Sequence, residues 1–474
     1  MIVKNHQLLT MAKITNYFLW LLFLSNLLCL VIYSPHIPEW RYGDLLKING
    51  FTVLIWNVVS FFSAVVNSYG KKYLNGFRYH TTFLLLCLGF TFSIMVFVMA
   101  NHVVLLLLMW LLMGIFMSRL IGVDRDWAEA RAAAQFALKY FVAGSLFLSV
   151  GVLLLAYQTD DYTLSGIITK VNDLPQYISL IAALCIITAA IIQSAIYPFH
   201  RWLLSAMTTP TPASALMHAG FVNGSGILLT LFSTVLFASN SLIILLIIGG
   251  LTAVIAQFTK LLQVNVKQKL ACSTIAQMGF MIMQCGLGFF NAAVVHLILH
   301  GFYKAYLFLS AGEEIGLSKP QTPINIKIKP IQALIVLFFG VLGAVLFAFL
   351  TGKGFALNSG LFLILIVAIT VGQVTYNIVK EQSLSLIQKT FLPSILFVIG
   401  IVVYAFLYNA ITAIMGDMPM IDLPIALSSI EVGFGILFLT GFFVMKLGIY
   451  RNFPWLYVKL LNISQPYKKT VFNK

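Results

Sequence analysis

The sequence predicts an all-α membrane protein, a bundle of about 14 transmembrane helices of which two are discontinuous. Of the 474 residues, 60 % are hydrophobic and 9 % are charged, whereas a soluble domain carries about 25 % charged residues. Apolar runs recur from end to end, each close to the ~20 residues that a transmembrane helix needs. The runs are continuous rather than alternating, which argues against a β-barrel. We therefore expect a single integral membrane domain over residues 1–474.

The first apolar run, Tyr17 to Tyr33, follows Lys4 and Lys13. It is longer than the apolar core of a signal peptide and lacks a small-residue cleavage site, so we expect a retained first helix. The later runs are separated by loops that are alternately basic and acidic. The basic segments contain Lys71, Lys72 and Arg78; Arg119, Arg125, Arg131 and Lys139; Lys260, Lys267 and Lys269; Lys319, Lys327 and Lys329; Lys380 and Lys389; and, in the tail, Arg451, Lys459, Lys468, Lys469 and Lys474. The acidic loops contain Asp160, Asp161 and Asp173, and then Asp417 and Asp422.

This alternation bears on orientation and on partners. Positively charged loops stay in the cytoplasm, so both termini are expected there, with Asp161 and Asp417 outside. The net charge of +15 is spread over alternate loops rather than concentrated on one segment, which argues against nucleic acid as a partner. The expected partners in the bilayer are membrane lipid and protons.

Two apolar segments are interrupted. Pro198 follows one long apolar run, and Gly352, Lys353 and Gly354 break another. Irregular backbone within a membrane is tolerated only inside the protein or beside a water-filled cavity, and transporters use it to build ion sites. Lys353 is accordingly either part of an ion pathway or a lysine that extends from a helix end to the aqueous boundary.

Titratable side chains lie in two further apolar segments. In a helix that begins near Pro210, His218 lies about 12 Å from the start at 1.5 Å per residue, near the middle of a ~30 Å hydrocarbon core. His296, His300 and Lys304 follow one another at intervals of four residues, which places them on one helix face. Imidazole titrates near neutral pH and a buried lysine readily loses its proton, so such a row can pass protons through intervening water.

Structural and metal-binding interpretations of these residues are also open. A single buried histidine such as His218 is more often a satisfied core residue, whereas three polar groups on one face require a wet or paired environment. The spacing of His296 and His300 would also suit zinc, but no third ligand is apparent and no metal site is expected. All five cysteines lie in apolar runs and are expected to be buried hydrophobes. No cofactor is expected, because the chain lacks a cysteine cluster and a glycine-rich phosphate loop.

The histidine segments carry a family resemblance. Residues 210–219 resemble the Pro-Thr-Pro-x-Ser-Ala-Leu-x-His-Ala signature of the antiporter-like membrane subunits of NADH:quinone oxidoreductase (subunit 5 type) and of multisubunit cation/proton antiporters. Residues 266–280 and 296–309 extend this resemblance. Within that superfamily, residues 198–203 and 220–224 look most like the DabB family, the membrane subunits of DAB-type inorganic carbon pumps.

The resemblance implies an antiporter-like fold and a proton-conducting subunit in the inner membrane of a bacterium. We expect the core proton-channel motifs in residues 179–311 and a basic cytoplasmic tail in residues 447–474. The expected proton pathway consists of His218, His296, His300, Lys304 and Lys353. Further pathway or helix-break positions are expected at Gln193, Pro198 and Lys267. In DAB pumps the partner is DabA, a large peripheral zinc-binding protein of the cytoplasm that is similar to β-carbonic anhydrases.

The chain departs from the oxidoreductase members at two charged positions. Those members carry a glutamate after a tryptophan in an early helix, where Trp110 is followed here by Leu111. They also carry a lysine in the broken helix, where this chain has Gln193. The usual Glu–Lys pair is therefore missing, which argues against an oxidoreductase subunit. Together with the resemblance, this leads us to expect a proton-conducting subunit that powers inorganic carbon uptake with a cytoplasmic partner. The alternatives are a cation/proton antiporter or oxidoreductase subunit, and a proton-inactive anchor for a peripheral enzyme.

Overall fold

The computed structural model describes residues 2–317, 330–354, 356–367, 386–447 and 452–471. These residues are mostly helical, as the sequence predicts, and they include a short antiparallel hairpin, β1 (Trp40–Tyr42) and β2 (Leu46–Ile48). Within them, ten helical segments are long and apolar enough to cross a membrane. The figure of about 14 spans stays a prediction, because it also includes interrupted, shorter or more polar helices.

Long apolar helices make up the first half of the chain. They are α1 (Ile2–Tyr33), α2 (Gly50–Tyr73), α3 (His80–Met99), α4 (Val103–Ile121), α5 (Ala128–Thr159), the short α6 (Leu164–Lys170) and α7 (Gln176–Gln193). Asn49 caps α2 by accepting a hydrogen bond from the Thr52 amide at 3.0 Å, which satisfies one of the free donors at a helix start. Lys71 and Lys72 lie in the last turn of α2, where the helix dipole favours positive charge.

Two neighbouring spans are interrupted, and the break predicted around Pro198 is confirmed. After α7 the chain resumes as α8 (Arg201–Ser205), and the next span consists of α9 (Thr211–Leu216), a π-helical turn (Met217–Phe221), α10 (Gly224–Leu231) and α11 (Ser233–Ala238). Side chains at the first break form hydrogen bonds with backbone carbonyls at the second break. The Ser194 hydroxyl donates to the Val222 carbonyl at 2.6 Å, and the Gln193 amide donates to the Phe221 carbonyl at 3.3 Å. Carbonyl groups freed by the irregular turns thus find partners inside the protein.

The second half of the chain contains the other predicted break. Its helices are α12 (Leu242–Leu261), α13 (Val266–Gly286), α14 (Phe290–Leu317), α15 (Pro330–Thr351), α16 with described residues 360–367, α17 (Leu386–Ile414) and α18 (Ser429–Leu447). After α15, Gly352 and Gly354 have φ angles of +66° and +62°. Glycine adopts this left-handed conformation without strain, and it ends the helix here.

The tail is folded against the bundle. It forms α19 (Pro454–Ile463) and α20 (Lys468–Val471). His200 hydrogen-bonds to the Ile463 carbonyl at 2.8 Å, and the Tyr467 amide donates to the Ser205 hydroxyl at 3.0 Å. The basic tail predicted from the sequence therefore includes an ordered segment that holds the chain just after the first break.

Acidic loops gather at one end of the helices, which we call the acidic end. Backbone hydrogen bonds join its loops. The Asn101 amide donates to the Leu45 carbonyl at 2.9 Å, and the Leu164 amide donates to the Asn101 carbonyl at 2.6 Å. The carboxylates in the loops of the acidic end are Glu39, Asp44, Asp160, Asp161, Asp173, Asp417 and Asp422. Hydrogen bonds from the Thr163 hydroxyl and amide hold the pKa of Asp161 below its usual value, which keeps this carboxylate ionised.

The opposite end, which we call the basic end, carries most of the described lysines and arginines. The Tyr73 and Thr211 hydroxyls hydrogen-bond there at 3.2 Å, and Lys267 donates to the Thr209 carbonyl at 2.8 Å. The basic residues of this end include Lys71, Lys72, Arg78, Arg119, Arg125, Arg131, Lys260, Lys267, Lys269, Lys459, Lys468 and Lys469. Lys319, Lys327, Lys329, Lys380, Arg451 and Lys474 lie outside the described residues.

Reporter fusions are expected to place the two ends on opposite sides of the membrane. Fusions after Lys72, Arg131 and Lys267 should report the cytoplasm, and fusions at Asp161 and Asp417 should report the exterior, because basic loops are retained inside. Activity of a cytoplasmic reporter at both Lys267 and Asp417 would contradict this orientation.

The backbones of α12 and α13 approach each other closely at two glycines. A Cβ atom added to Gly279 would lie 2.7 Å from the Ala253 amide nitrogen and 2.8 Å from the Gly249 carbonyl oxygen. Small residues allow such contacts, which are a main source of helix association in lipid. We expect Gly279→Val to lower the amount of folded protein in the membrane several-fold, since overpacking costs about 1–3 kcal/mol. Gel filtration of a fluorescent fusion measures this amount.

Gly340→Val is the matched control for this prediction, because no described atom lies within 4 Å of a Cβ added at Gly340. It should leave the peak height unchanged. An equal loss in both variants would mean that the α12–α13 contact has no special importance.

Candidate functional site

The row of titratable residues predicted on α14 points into the bundle. The ring centroids of His296 and His300 are 6.2 Å apart, and Lys304 follows one helical turn later. His300 is 5 % exposed and Lys304 is 0 % exposed, while His296 is half-buried. The four-residue spacing therefore produces a single inward-facing row, as the sequence predicts.

Lys304 is a completely enclosed amine. Its Nζ donates to the Leu270 carbonyl of α13 at 3.1 Å and lies 5.9 Å from the centre of the Tyr303 ring. In the part of the chain that the structure describes, Lys304 forms no ion pair. An ammonium group without a counter-ion at membrane depth costs at least ~2.5–3.5 kcal/mol, which makes such a residue a functional candidate.

His218 lies against the same row. It belongs to the π-helical turn, and its ring stacks on Phe308 with centroids 4.3 Å apart and planes at 14°. Phe308 is one turn beyond Lys304 on the same face of α14. Gly301 allows the two segments to approach, since a Cβ atom added there would lie 3.2 Å from the Ala219 carbonyl oxygen. The structure thus brings together two motifs that are far apart in the sequence.

Four imidazole nitrogens in this cluster lack a protein hydrogen-bond partner among the described residues. They are both ring nitrogens of His218 and both ring nitrogens of His300. Buried polar atoms are hydrogen-bonded in roughly nine cases out of ten, and ordered water fulfils this role where protein groups do not. The described residues contain no group of three side chains suited to bind a metal ion.

Polar side chains continue from the row towards the acidic end. His296 Nδ1 lies 3.1 Å from Gln284 Oε1 on α13, and Tyr404 of α17 lies beside Gln284. The Asn291 side-chain amide donates to the Thr412 hydroxyl at 2.8 Å. Polar groups from α13, α14 and α17 therefore extend the row beyond α14.

Lys353 forms an ion pair at the acidic end of this polar region. Its Nζ donates to Asp422 Oδ1 at 2.6 Å and lies 4.3 Å from the Phe289 ring centre and 5.1 Å from that of Tyr408. The lysine side chain is 10 % exposed. Of the two sequence-based interpretations, extension into solvent does not fit this geometry. Sequence reasoning missed Asp422 as a site residue, because no spacing links it to Lys353.

The other three predicted positions lie in or near the interrupted spans. Gln193 bonds to the Phe221 carbonyl, Pro198 belongs to the irregular segment after α7, and Lys267 bonds to the Thr209 carbonyl. None of the three has a described hydrogen bond to the α14 row. Thr209 nevertheless lies just before α9, in the same span as His218, so Lys267 marks the basic end of that span.

The early helices contain buried polar residues of a different kind. Asn57 and Asn67 of α2 are buried, and Trp110 of α4 is buried without a neighbouring carboxylate in sequence. Among the described residues, the buried carboxylate is Glu431. It accepts a hydrogen bond from the Ser428 amide at 2.5 Å in the first turn of α18, which is a capping role.

Comparison with known protein sequences identifies relatives of two kinds. An inorganic carbon transporter subunit of Bacillus anthracis, named as a probable DabB, is 35 % identical over 334 residues, which are 69 % of this chain and 64 % of the relative. The NADH-ubiquinone oxidoreductase chain 5 of Podospora anserina is 31 % identical over 274 residues, which are 57 % of this chain and 42 % of the relative. The chain thus spans less than two thirds of the length of these curated relatives.

Solved structures show the same fold. The Mrp complex from Dietzia sp. aligns with a TM-score of 0.61 and 22 % identity over 94 % of this chain and 56 % of that chain. The membrane-bound sulfane sulfur reductase, an archaeal respiratory membrane complex, aligns with a TM-score of 0.59 and 19 % identity over 99 % and 97 %. Residues 100–379, more than half of the chain, match the family model described as NADH:quinone oxidoreductase/Mrp antiporter, TM. The chain therefore belongs to the family of NADH:quinone oxidoreductase and Mrp antiporter membrane subunits.

Proposed function

We propose that this chain conducts protons across a bacterial inner membrane and that this flow drives uptake of inorganic carbon. The observation that carries the proposal is the packing of buried His218 against the face of α14 that carries His300 and Lys304. The relatives named DabB, at 31–35 % identity, support inorganic carbon as the substrate. Both termini lie in the cytoplasm in this proposal, which follows from the basic loops.

The cytoplasmic end of the proposed route lies at the basic end of the bundle. Lys267 and the Thr209 carbonyl stand at the start of the span that carries His218. In this proposal, water links His218 to His300 and Lys304, which are all buried and interact electrostatically with one another. An imidazole can accept a proton at one nitrogen and release one from the other, so each histidine both receives and passes on a proton.

From His300 the route continues to the acidic end. His296 and Gln284 form the next step, and Tyr404 and the Lys353–Asp422 pair lead to the surface. The Lys353–Asp422 pair stands at the exterior entrance of the proposed route, because it joins the polar region to the acidic end, from which protons enter when they flow inward.

The proposed partner is a large peripheral zinc-binding protein in the cytoplasm, similar to DabA. Hydration of carbon dioxide needs a metal that lowers the pKa of bound water towards ~7, and we assign that chemistry to the partner. We place the docking surfaces for this partner at the basic end, in residues 122–139 and 464–471. Residues 318–329, which the sequence analysis also places in a cytoplasmic loop, lie outside the described residues.

A second candidate function is cation/proton antiport or proton pumping within a respiratory complex. The fold shared with the Mrp complex and the chain 5 relatives favour it. The leucine after Trp110 and the glutamine at position 193 weigh against it. Sodium-dependent proton exchange without any effect of inorganic carbon would support this second function over the first.

The uptake of labelled inorganic carbon tests the proposed function. In cells that produce the chain with its zinc partner, a protonophore should reduce uptake to the level of cells with an empty vector, because the driving gradient is lost. ATP must be held constant during the measurement, for example by supplying a fermentable sugar. Uptake that persists after the ion gradients have collapsed would contradict a proton-driven mechanism.

A further inference from the structure

A groove of about 560 Å³ lies at the basic end, between α19 and the start of α8. One wall is formed by Trp455, Val458, Lys459 and Asn462 of α19, and Arg201 lines it from α8. It shares no residue with the proposed proton route.

The wall on α19 is one face of a two-sided helix. Trp455, Val458, Lys459 and Asn462 recur at the spacing of residues that share a helix face. Trp455 is 67 % exposed and Val458 is 53 % exposed. On the other side of the helix, Leu460 is buried against the bundle. Because α19 packs on the bundle through Leu460, the apolar side chains of Trp455 and Val458 remain available for a contact with another molecule.

The position of α19 places this contact at the membrane boundary. The α7 helix has 18 residues, which span about 27 Å at 1.5 Å per residue. The segment after it therefore lies near the edge of a ~30 Å hydrocarbon core. The bond from His200 to the Ile463 carbonyl holds the end of α19 at that level. A helix with exposed aromatic and basic residues is typical of the interface between hydrocarbon and headgroups.

The residues that line the groove favour the binding of an anion that also has an apolar part. Arg201 and Lys459 contribute two cations and Asn462 an amide, and the lining residues include no carboxylate in the part of the chain that the structure describes. Neither cation forms an ion pair with a described residue. A free phosphate would leave Trp455 and Val458 exposed, and a soluble protein would have to compete with lipid at this depth.

We propose that the groove binds one anionic phospholipid. Its phosphate lies between Arg201 and Lys459, where guanidinium and ammonium groups bind phosphate oxygens through charge-assisted hydrogen bonds. Its acyl chain covers Val458 and the ring of Trp455. The lipid thereby joins the ordered tail to the segment that follows the first break, and it does so whichever substrate the protein transports.

Lipid binding to the purified full chain tests this proposal. Native mass spectrometry would compare phosphatidylglycerol, phosphatidylcholine with the same acyl chains, and glycerol 3-phosphate. We expect retention of phosphatidylglycerol only. The double variant Arg201→Gln/Lys459→Gln should bind it about tenfold to thirtyfold more weakly, given the contribution of each basic residue to attraction for anionic lipid.

The variant Lys468→Gln/Lys469→Gln is the matched control, because both lysines are exposed on the same tail and neither lines the groove. It should bind phosphatidylglycerol like the unmodified chain. Equal retention of both phospholipids, retention of glycerol 3-phosphate, or equal weakening in the two double variants would overturn the proposal.

A crosslinking measurement in native membranes does not depend on the stability of the charge variants. A benzophenone side chain introduced at position 458 should form adducts whose added mass is that of an anionic phospholipid. Adducts predominantly with a protein, or with uncharged lipid in proportion to its abundance, would overturn the proposal. The first result would identify the groove as a docking site for a protein partner.

Discussion

Replacing Lys304 with alanine is expected to abolish the proposed inorganic carbon uptake in cells that produce the chain with the proposed zinc-binding partner. The fully buried amine lies between His300 and the segment that contains His218, so its loss interrupts the proposed route. The variant should still insert into the membrane at normal levels, because removal of a buried ammonium group without a counter-ion relieves a desolvation cost. Uptake of labelled inorganic carbon, normalised to the amount of chain in the membrane, measures the effect.

Tyr306→Ala is a suitable control, because Tyr306 lies on the same helix with 70 % of its surface exposed. It should transport like the unmodified chain. His300→Ala and His218→Ala should resemble Lys304→Ala. Normal uptake in all three variants, at normal protein levels, would leave these residues with a structural role and would favour the proton-inactive anchor.

The second large effect concerns the partner. Production of this chain alone is not expected to restore growth in ordinary air to a bacterium that lacks carbonic anhydrase. Co-production with the proposed cytoplasmic zinc-binding partner should restore growth. In the proposed function this chain carries protons, whereas the partner hydrates carbon dioxide, because that reaction requires a metal-bound water. Growth on plates in air and in air enriched with carbon dioxide measures the difference.

The growth assay has an internal control, because enriched carbon dioxide should support growth of every strain. Growth in air with this chain alone would contradict the proposed division of labour. Failure of the pair, with both proteins present in the membrane fraction, would contradict the assignment of inorganic carbon as the substrate.

Sequence reasoning predicted the features that depend on local periodicity. The four-residue spacing of His296, His300 and Lys304 is a property of one helix, and the structure places them on one inward face. The breaks near Pro198 and Gly352 were predictable because proline and glycine disrupt helices in known ways. The resemblance of the histidine segments to a known family also agrees with the family match.

Features that join distant segments could not be predicted in this way. The stacking of His218 on Phe308 depends on the π-helical turn and on the close approach allowed by Gly301, neither of which has a periodic signal. The pairing of Lys353 with Asp422 joins two loops, and an acidic loop at a membrane boundary predicts only orientation. The folded helices of the tail could not be predicted for a similar reason, since basic residues near a terminus are typical of an unstructured cytoplasmic extension.

Proton entry into proteoliposomes tests the central claim most directly. Vesicles that contain the chain and the proposed partner would enclose a pH-sensitive dye. Inorganic carbon would be added outside the vesicles, and a potassium diffusion potential would drive protons inward. We predict rapid acidification with the unmodified chain and with Tyr306→Ala, and only the leak of protein-free vesicles with Lys304→Ala. Equal acidification rates for Lys304→Ala and the unmodified chain, at equal amounts of reconstituted protein, would contradict a proton route through the buried row on α14.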